Sequence, residues 1–313
     1  MQAVVSLATG VQTLFDRDTK YSINHGALGH HINISMKPEF ILDRTKSPTQ
    51  VLCLDRKMEL NPVDPRQATF AKYFSQGCDG IVMSSQEAWH LPKSHPWCIR
   101  GMKLGKSVDY CWETERTFFY IDNGYIGNIS RKTHFRIIKN HVHDIRSVID
   151  RPGDRLESLQ FKLKPFTPGT KILLAPPSEK SFTLWNIDQN QWIEQTILEI
   201  QKHTERPIEV RLKRNREERA KINTMESALA DDVHCLVTYN SVAAVEAVML
   251  GKPAITLGPN AAGVVCSNSI NEIENPKIPT LDERDAWLRH LSYSQFTFTE
   301  MSDGTAWRIV NEH

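Results

Sequence analysis

The stretch that most constrains this chain is residues 235–257, Cys-Leu-Val-Thr-Tyr-Asn-Ser-Val-Ala-Ala-Val-Glu-Ala-Val-Met-Leu-Gly-Lys-Pro-Ala-Ile-Thr-Leu. It reads as a strand, a polar turn, one buried helix, a glycine stop and a second strand. Asn240 and Ser241 suit a helix start, because their side-chain oxygens can accept hydrogen bonds from first-turn amides. The helix body, residues 242–250, is apolar on nearly every side except at Glu246. Gly251 supplies a left-handed stop, and Pro253 prevents the helix continuing. A strand that feeds a buried helix N-terminus points free amides and the positive end of the helix dipole at the turn, which is the chemistry of an anion site. A carboxylate on an otherwise apolar helix needs a partner, because burying an unpaired charge is costly. That partner is either a ligand or a neighbouring Lys or Arg.

The alternation of strand and helix runs through the chain. Residues 51–55 read as a short buried strand, 61–65 as a proline break, and 66–76 as a helix with Phe70, Tyr73 and Phe74 on one side. Residues 80–85 follow as a strand running into a polar turn. Residues 99–106 are expected to form a short helix ending near Gly105. Residues 117–122, Thr-Phe-Phe-Tyr-Ile-Asp, form an aromatic strand that ends at Asp122. This β-α-β order implies a parallel sheet with ligand groups at the carboxyl ends of its strands. Residues 131–164 read as basic and irregular, with His134, His141 and His143 among arginines and lysines. The Lys-Pro-Phe-Thr-Pro-Gly run at 164–169 is the best linker, and it divides the chain into domains of 1–165 and 166–313. The first fifty residues are poorly periodic. His25-Gly26 and His30-His31 match no helical metal spacing and read as a loop with solvated histidines.

After the linker the pattern restarts. A strand at 171–175 leads to a loop at 176–181, then to an amphipathic helix at 189–203 carrying Trp192, Ile193, Ile197 and Ile200. A strand at 208–212, a charged segment at 216–221 and a short helix at 224–230 precede the 235–257 unit. Helices at 281–291 and 298–310 close the chain and can pack back on the N-terminal domain. At 313 residues, two domains of ordinary size fit. A formal charge of +1 gives no global argument for nucleic acid. The basic run 202–221 is interrupted by Glu205, Glu209, Glu217 and Glu218, so it reads first as a salt-bridged surface. The apolar opening lacks a basic leader and is too short to span a bilayer, and no later run reaches eighteen apolar residues. Six cysteines occur singly, without a C-x-x-C pair, which argues against a zinc site or disulfide framework and suits a reducing cytoplasm.

If the second sheet is parallel, four strand-end loops meet on one rim. They bring Ser178, Glu179 and Lys180; Arg211 and Lys213; Asn240 and Ser241; and Asn260 between Gly258 and Gly263. Hydroxyls, amides and cations around a helix N-terminus suit a diphosphate. Glu246 lies about 7–8 Å along the helix from Ser241 at roughly 1.5 Å per residue. That is close to the span from a diphosphate to the ribose hydroxyls of the same nucleotide, and a carboxylate is the usual partner of a ribose.

On these residues the chain resembles the GT-B glycosyltransferases, closest to capsule-polysaccharide-type transferases and their nucleotide-sugar epimerase relatives. Asn240-Ser241, then Glu246-Ala247, then Gly251-Lys252-Pro253 is similar to the donor-binding element of that family. The likeness is specific over 229–257, extends over 170–265, and is architectural over 1–165. It implies an α/β fold of two Rossmann-like domains facing a cleft, with nucleotide held by the C-terminal domain and acceptor by the N-terminal one. It further implies metal-independent transfer from a nucleotide-diphosphate sugar, a co-substrate in place of a resident cofactor, to a hydroxyl acceptor. The family's HxGxxG loop and glycine-rich loop are missing here. The tail, 298–307, also resembles phage-encoded proteins, which would favour a DNA base, such as a hydroxylated one, or a nucleotide as acceptor over a glycan. An epimerase or hydrolase on the same frame, and a binding protein that lost catalysis, stay open beside the transferase.

Inverting transfer requires an N-terminal side chain that takes the acceptor proton. His25, Asp122 and Glu87 are the candidates, with His25 and Asp122 foremost. Turn chemistry accounts for Asp122 equally well. Lys180 and Arg211 would stabilise charge on the departing diphosphate.

Overall fold

A computed structural model describes residues 4–6, 12–15, 21–24, 51–54, 65–101, 105–126, 133–213, 225–230 and 232–312. The chain separates into two compact units, Met1–Lys46 and Ser47–His313. In the first unit, β1 (Val4–Ser6), β2 (Gln12–Phe15) and β3 (Tyr21–Asn24) form an antiparallel three-stranded sheet in sequence order. Three short strands of mixed polarity leave too little periodicity to be legible beforehand.

The second unit holds two sheets and is of mixed α/β class. The first sheet begins with β4 (Leu52–Leu54), α1 (Pro65–Cys78) and β5 (Ile81–Met83). The helix α2 (Ser85–Ala88) starts on a capping box in which Ser84 and Glu87 satisfy each other's backbone amides. Then come β6 (Trp97–Arg100), α3 (Gly105–Glu113), β7 (Phe118–Asn123) and β8 (Phe135–Lys139). The order across the sheet is β5-β4-β6-β7-β8, parallel as far as β7 and antiparallel at β8.

Two expectations fail here. Residues 97–100 are a central strand where a helix over 99–106 was expected, and α3 begins only at Gly105. Trp97, Cys98 and Ile99 are fully buried between β4 and β7, so burial on both faces hides the two-residue alternation. Gly101, at φ +66°, then turns the chain. The stretch read as irregular contains β8 and a short helix, α4 (Asp154–Ser158). The alternation of β8 is masked by Arg136, which is buried in spite of its charge.

The second sheet is wholly parallel. Its elements are β9 (Lys171–Leu174), α5 (Glu179–Leu184), α6 (Gln189–Gln201), β10 (Ile208–Val210), α7 (Met225–Ala230), β11 (Val233–Thr238), α8 (Ala243–Met249) and β12 (Ala254–Thr256). Strand order is β10-β9-β11-β12. The first sheet's parallel part has the same pattern, with its first strand next to its second on one side and its third on the other. In such an order successive connections depart in opposite directions from the first strand, which leaves a crevice at the carboxyl ends of the first and third strands. For the second sheet that crevice lies between β9 and β11.

The chain end returns to the first sheet. After α9 (Leu281–Ser292), β13 (Gln295–Phe296) pairs antiparallel with β8. The expected single helix over 298–310 is two, α10 (Phe298–Ser302) and α11 (Thr305–Asn311), broken at Gly304 with φ +86°. Phe296, Met301, Ala306, Ile309 and Val310 complete one core with Phe70 and Phe74 of α1 and with Phe119 and Ile121 of β7. Among the described residues no helix is long and apolar enough to cross a membrane.

The 164–169 linker is packed against α8. Lys164 donates its amide to Met249 and Thr167 donates to Gly251. Gly251 has φ +77°, and a Cβ there would collide with the Pro165 carbonyl. Gly101 has a similar φ of +66° but open space at its Cβ position. Gly101→Ala should therefore cost about 1 kcal/mol of backbone strain alone. Gly251→Ala should cost roughly 3 kcal/mol or more, because strain adds to a collision with backbone that must move. Urea midpoints of the two variants measure the difference, and equal losses would refute the packing account.

Candidate functional site

The parallel sheet sets the geometry of the rim. Beyond β9 the chain passes through buried Ala175, Pro176 and Pro177 to Ser178, the residue preceding α5. Ser178 is half-buried and its hydroxyl makes no capping bond, while its carbonyl accepts from the Ser181 and Phe182 amides. Lys180 is exposed in the first turn of α5. Arg211 follows β10, half-buried, with its amide bonded to the Leu174 carbonyl.

Beyond β11, Thr238 donates its hydroxyl to the Ala175 carbonyl at 2.6 Å, which ties the two central strands at their carboxyl ends. Asn240 is buried, and its Oδ1 accepts from the Ser181 hydroxyl at 3.0 Å. The loops after β9 and β11 are thereby joined across the crevice. The Asn240 Nδ2 atom is buried without a hydrogen-bond partner. Ser241 Oγ accepts from the Ala243 amide at 3.2 Å, so it does serve the helix start, although α8 begins one residue later than its apolar run. Asn260 is buried and committed to structure: its Nδ2 donates to the Ser241 carbonyl at 2.9 Å and its Oδ1 accepts from the Ala262 amide at 2.9 Å. It binds the loop after β12 to the loop after β11.

Glu246 is half-buried in the first turn of α8 and is engaged with neighbouring groups. A carboxylate in that turn is favoured by the helix dipole whether or not a ligand is present. The remaining side chains of α8 are buried and apolar.

Asp122 has a different setting. Arg100 donates to its Oδ1 at 2.9 Å, Arg136 to its Oδ2 at 3.4 Å, and the Tyr120 hydroxyl to Oδ2 at 3.1 Å. Burial alone would raise its pKa, but the charges of Arg136 and Arg100 outweigh that and hold it well below the usual carboxylate range. A carboxylate so held is a weak proton acceptor. Glu87 is occupied by the α2 capping box. His25 lies outside the described residues.

A buried histidine stands beyond β8. His143 follows β8 and is buried, with its Nδ1 3.5 Å from the Tyr125 hydroxyl. Burial first, and then the charge of Arg136, hold this imidazole well below its ordinary pKa, so it is neutral. Tyr125 in turn accepts from the Asp144 amide at 2.9 Å. Ser181 holds Asn240 and His143 meets Tyr125, and neither is marked by local sequence. A histidine in a basic stretch and a serine three residues past a Pro-Pro-Ser give no spacing signal.

Among the described residues no group of His, Cys, Asp or Glu could hold a metal ion. The sequence does contain one Asp-x-Asp triplet, Asp16-Arg17-Asp18, in a part outside the described residues. A cavity of about 50 Å³ lined by His134, Arg155, Ser158, Leu159, Ser292 and Glu300 is too small for a nucleotide sugar.

No family model matches the sequence, and no curated protein matches it. Two solved structures from Thermosulfurimonas dismutans are similar in outline. One is KpsC, beta Kdo 2,4 transferase, at 12% identity and a TM-score of 0.45, covering 84% of this chain and 98% of that one. The other is KpsC, beta Kdo 2,7 transferase, at 14% identity and a TM-score of 0.44, covering 84% and 99%.

The Asp122 clamp predicts a pH dependence. A carboxyl whose pKa is lowered by folding contributes stability above its unfolded pKa of about 4, and loses it as pH falls through the folded value. Asp122→Asn should cost ~1–2 kcal/mol at neutral pH, a modest figure because the carboxylate is a quarter exposed. The gap between variant and parent should narrow below about pH 4. Denaturant titrations at neutral and acidic pH test this, and a gap independent of pH would refute it.

Proposed function

We propose that this chain is a glycosyltransferase that moves a sugar from a nucleotide-diphosphate donor to a hydroxyl acceptor. On this reading residues 166–313 bind the donor and 1–165 the acceptor, in a GT-B arrangement that works without a bound metal. The observation that supports it most is the crevice of the parallel sheet between β9 and β11, where Ser178, Asn240 and Ser241 emerge at adjacent strand ends. Ligands of open α/β sheets bind at such switch points.

Lys180 and Arg211 would neutralise the diphosphate, a role that needs cations near it because charge grows there as the bond to the sugar breaks. Ser178 and Ser241 would supply hydroxyl donors, and Glu246 would accept from the ribose hydroxyls. Asn260 contributes by fixing the loop that holds Ser241. Proton abstraction falls to His25 on this reading, because the Asp122 oxygens are taken up by Arg100, Arg136 and Tyr120. The acceptor is a glycan or a hydroxylated DNA base, and turnover with each class distinguishes them.

Thermal melting with UDP, GDP, CDP, ADP and TDP tests the donor site. A ligand that binds only the folded state at about 100 times its Kd stabilises by ~2.7 kcal/mol and raises Tm by several degrees. One nucleotide should do so, and Glu246→Ala should reduce that rise by weakening the ribose contact about tenfold. If no nucleotide raises Tm, the donor reading fails. An undiminished rise in Glu246→Ala removes the ribose assignment alone.

A further inference from the structure

The first sheet has a switch point of its own, at the carboxyl ends of β4 and β6. Arg100 is the last residue of β6, and its guanidinium lies 4.4 Å over the ring of Phe70, on the helix that follows β4. Its Nη1 donates to Asp122 Oδ1 at 2.9 Å and to the Ile121 carbonyl at 3.4 Å. Ring, ion pair and strand hold the group in place, so a ligand that met it would have little to order. The side chain is still 20% exposed. Beside it stands Asn123, the exposed last residue of β7.

The charges at this corner do not cancel. Arg100 and Arg136 share Asp122, two guanidiniums against one carboxylate, and that carboxylate is held ionised. Neither α1 nor α3, the helices that leave β4 and β6, carries an acidic residue in its first turn to offset the excess. Donors are left over as well. Arg100 Nη2 makes one surface contact, a long one of 3.5 Å to Asn123 Oδ1, which leaves its second hydrogen unused. The Asn123 Nδ2 has no partner among the described residues. Spare N–H groups beside unbalanced positive charge, at neighbouring strand ends, suit an oxyanion.

The shape of that anion is restricted. A carboxylate meets arginine best through two parallel N–H groups. The pair formed by Nε and Nη2 is closed, because the Nε of Arg100 is enclosed by the protein. The pair formed by the two terminal nitrogens is taken, because Nη1 already serves Asp122 and Ile121. A phosphate group presents three acceptor oxygens in different directions and can take single donors from separate side chains.

We infer that Arg100 Nη2 and Asn123 Nδ2 form a phosphate-binding subsite, which holds a phosphate group carried by the acceptor. The subsite deepens the proposed transferase reading by giving the chemistry of the acceptor, and it rests on that reading only for the phosphate belonging to an acceptor.

The test follows the side-chain NH₂ signals of the ¹⁵N-labelled full chain, in which the pair missing from Asn123→Ala identifies Asn123. Inorganic phosphate is titrated at neutral pH and constant ionic strength, with acetate in parallel. Phosphate should move the Asn123 pair in a saturable way, and acetate should bind more weakly. Arg100→Gln, which keeps donors but loses the charge, should weaken phosphate about tenfold. Asp122→Asn, which removes the opposing charge, should tighten it, a gain that a purely structural Arg100 would not give. Thermal melting confirms that each variant is folded, and Asp122→Asn carries the test if Arg100→Gln does not fold. If phosphate leaves the pair unmoved, if acetate binds as tightly, if Arg100→Gln matches the parent, or if Asp122→Asn brings no gain, the inference is overturned. Glucose 6-phosphate and a short single-stranded oligodeoxynucleotide then separate a phosphorylated glycan from DNA as the source of the group, and a response to neither also overturns it. Nucleotide stabilisation with no phosphate response at Asn123 sinks the subsite and leaves the transferase reading standing. A phosphate response with no nucleotide stabilisation does the reverse.

Discussion

The interaction on which the second unit most depends is the guanidinium of Arg284. It is buried, yet no carboxylate faces it among the described residues. It donates to the carbonyls of Val248 at 2.5 Å, Lys164 at 2.8 Å and Met249 at 3.3 Å, and lies 4.4 Å over the Phe166 ring. Burial lowers its pKa, but an arginine starts so high that it stays charged. A cation at a helix C-terminus meets the negative end of the dipole and satisfies carbonyls that have no intrahelical partner. One side chain thereby joins the end of α8, the linker and α9. Because α8 carries the loop of Asn240 and Ser241 at its other end, the position of the crevice is set from behind by this contact.

From α9 the chain passes to the junction of the two sheets. Asp144 is fully buried and accepts from Arg146 at 2.7 and 2.9 Å and from Ser294 at 2.5 Å, with His290 3.2 Å away. Burial would raise its pKa, but the Arg146 bonds and His290 more than reverse that. Gln295 accepts from the Tyr125 and Ile126 amides at 2.8 and 3.1 Å. The returning C-terminal strand is therefore fastened to the first sheet by polar groups that have been taken out of water. Breaking any one of them would leave a buried partner unsatisfied, which costs more than the bond itself contributes. Tyr125 extends this network, its hydroxyl accepting from the Asp144 amide and lying 3.5 Å from the His143 Nδ1.

What was legible in the sequence follows from periodicity. The strands at 52–54, 81–83, 118–123, 171–174 and 233–238 and the helix α8 are apolar runs, and α1 and α6 carry apolar residues at helical spacing, so periodicity was enough to place them. Strand β6 was lost because both its faces are covered, and β8 because Arg136 is buried against Tyr125 at 5.0 Å with Asp122 as its counter-charge. Local sequence cannot announce a buried arginine whose partner is fourteen residues away. For the site, residue types at strand ends were readable, but their commitments were not. Asn260 and Asp122 look alike in sequence as polar residues in turns, and the fold gives each a full set of structural bonds. Asn240 looks the same and is left with an unpaired amide.

Glu246 decides how far electrostatics supports a nucleotide at this rim. Its charge lies in the first turn of a seven-residue helix and already meets the positive end of the dipole. A diphosphate placed at the same terminus would find that partial charge in use and would be repelled by the carboxylate. Amides and dipole alone would then be too weak to hold it. The cations must come from elsewhere on the rim, and Lys180 and Arg211 flank the strand ends from α5 and from beyond β10. On the proposed reading the labour divides by charge. The neighbouring loops neutralise the phosphates, and α8 presents a carboxylate to hydroxyls, which it can accept from without opposing a like charge. On that reading an acidic residue is compatible with an anion site, and the ribose would lie on the α8 side of the crevice with the phosphates towards β9 and β10.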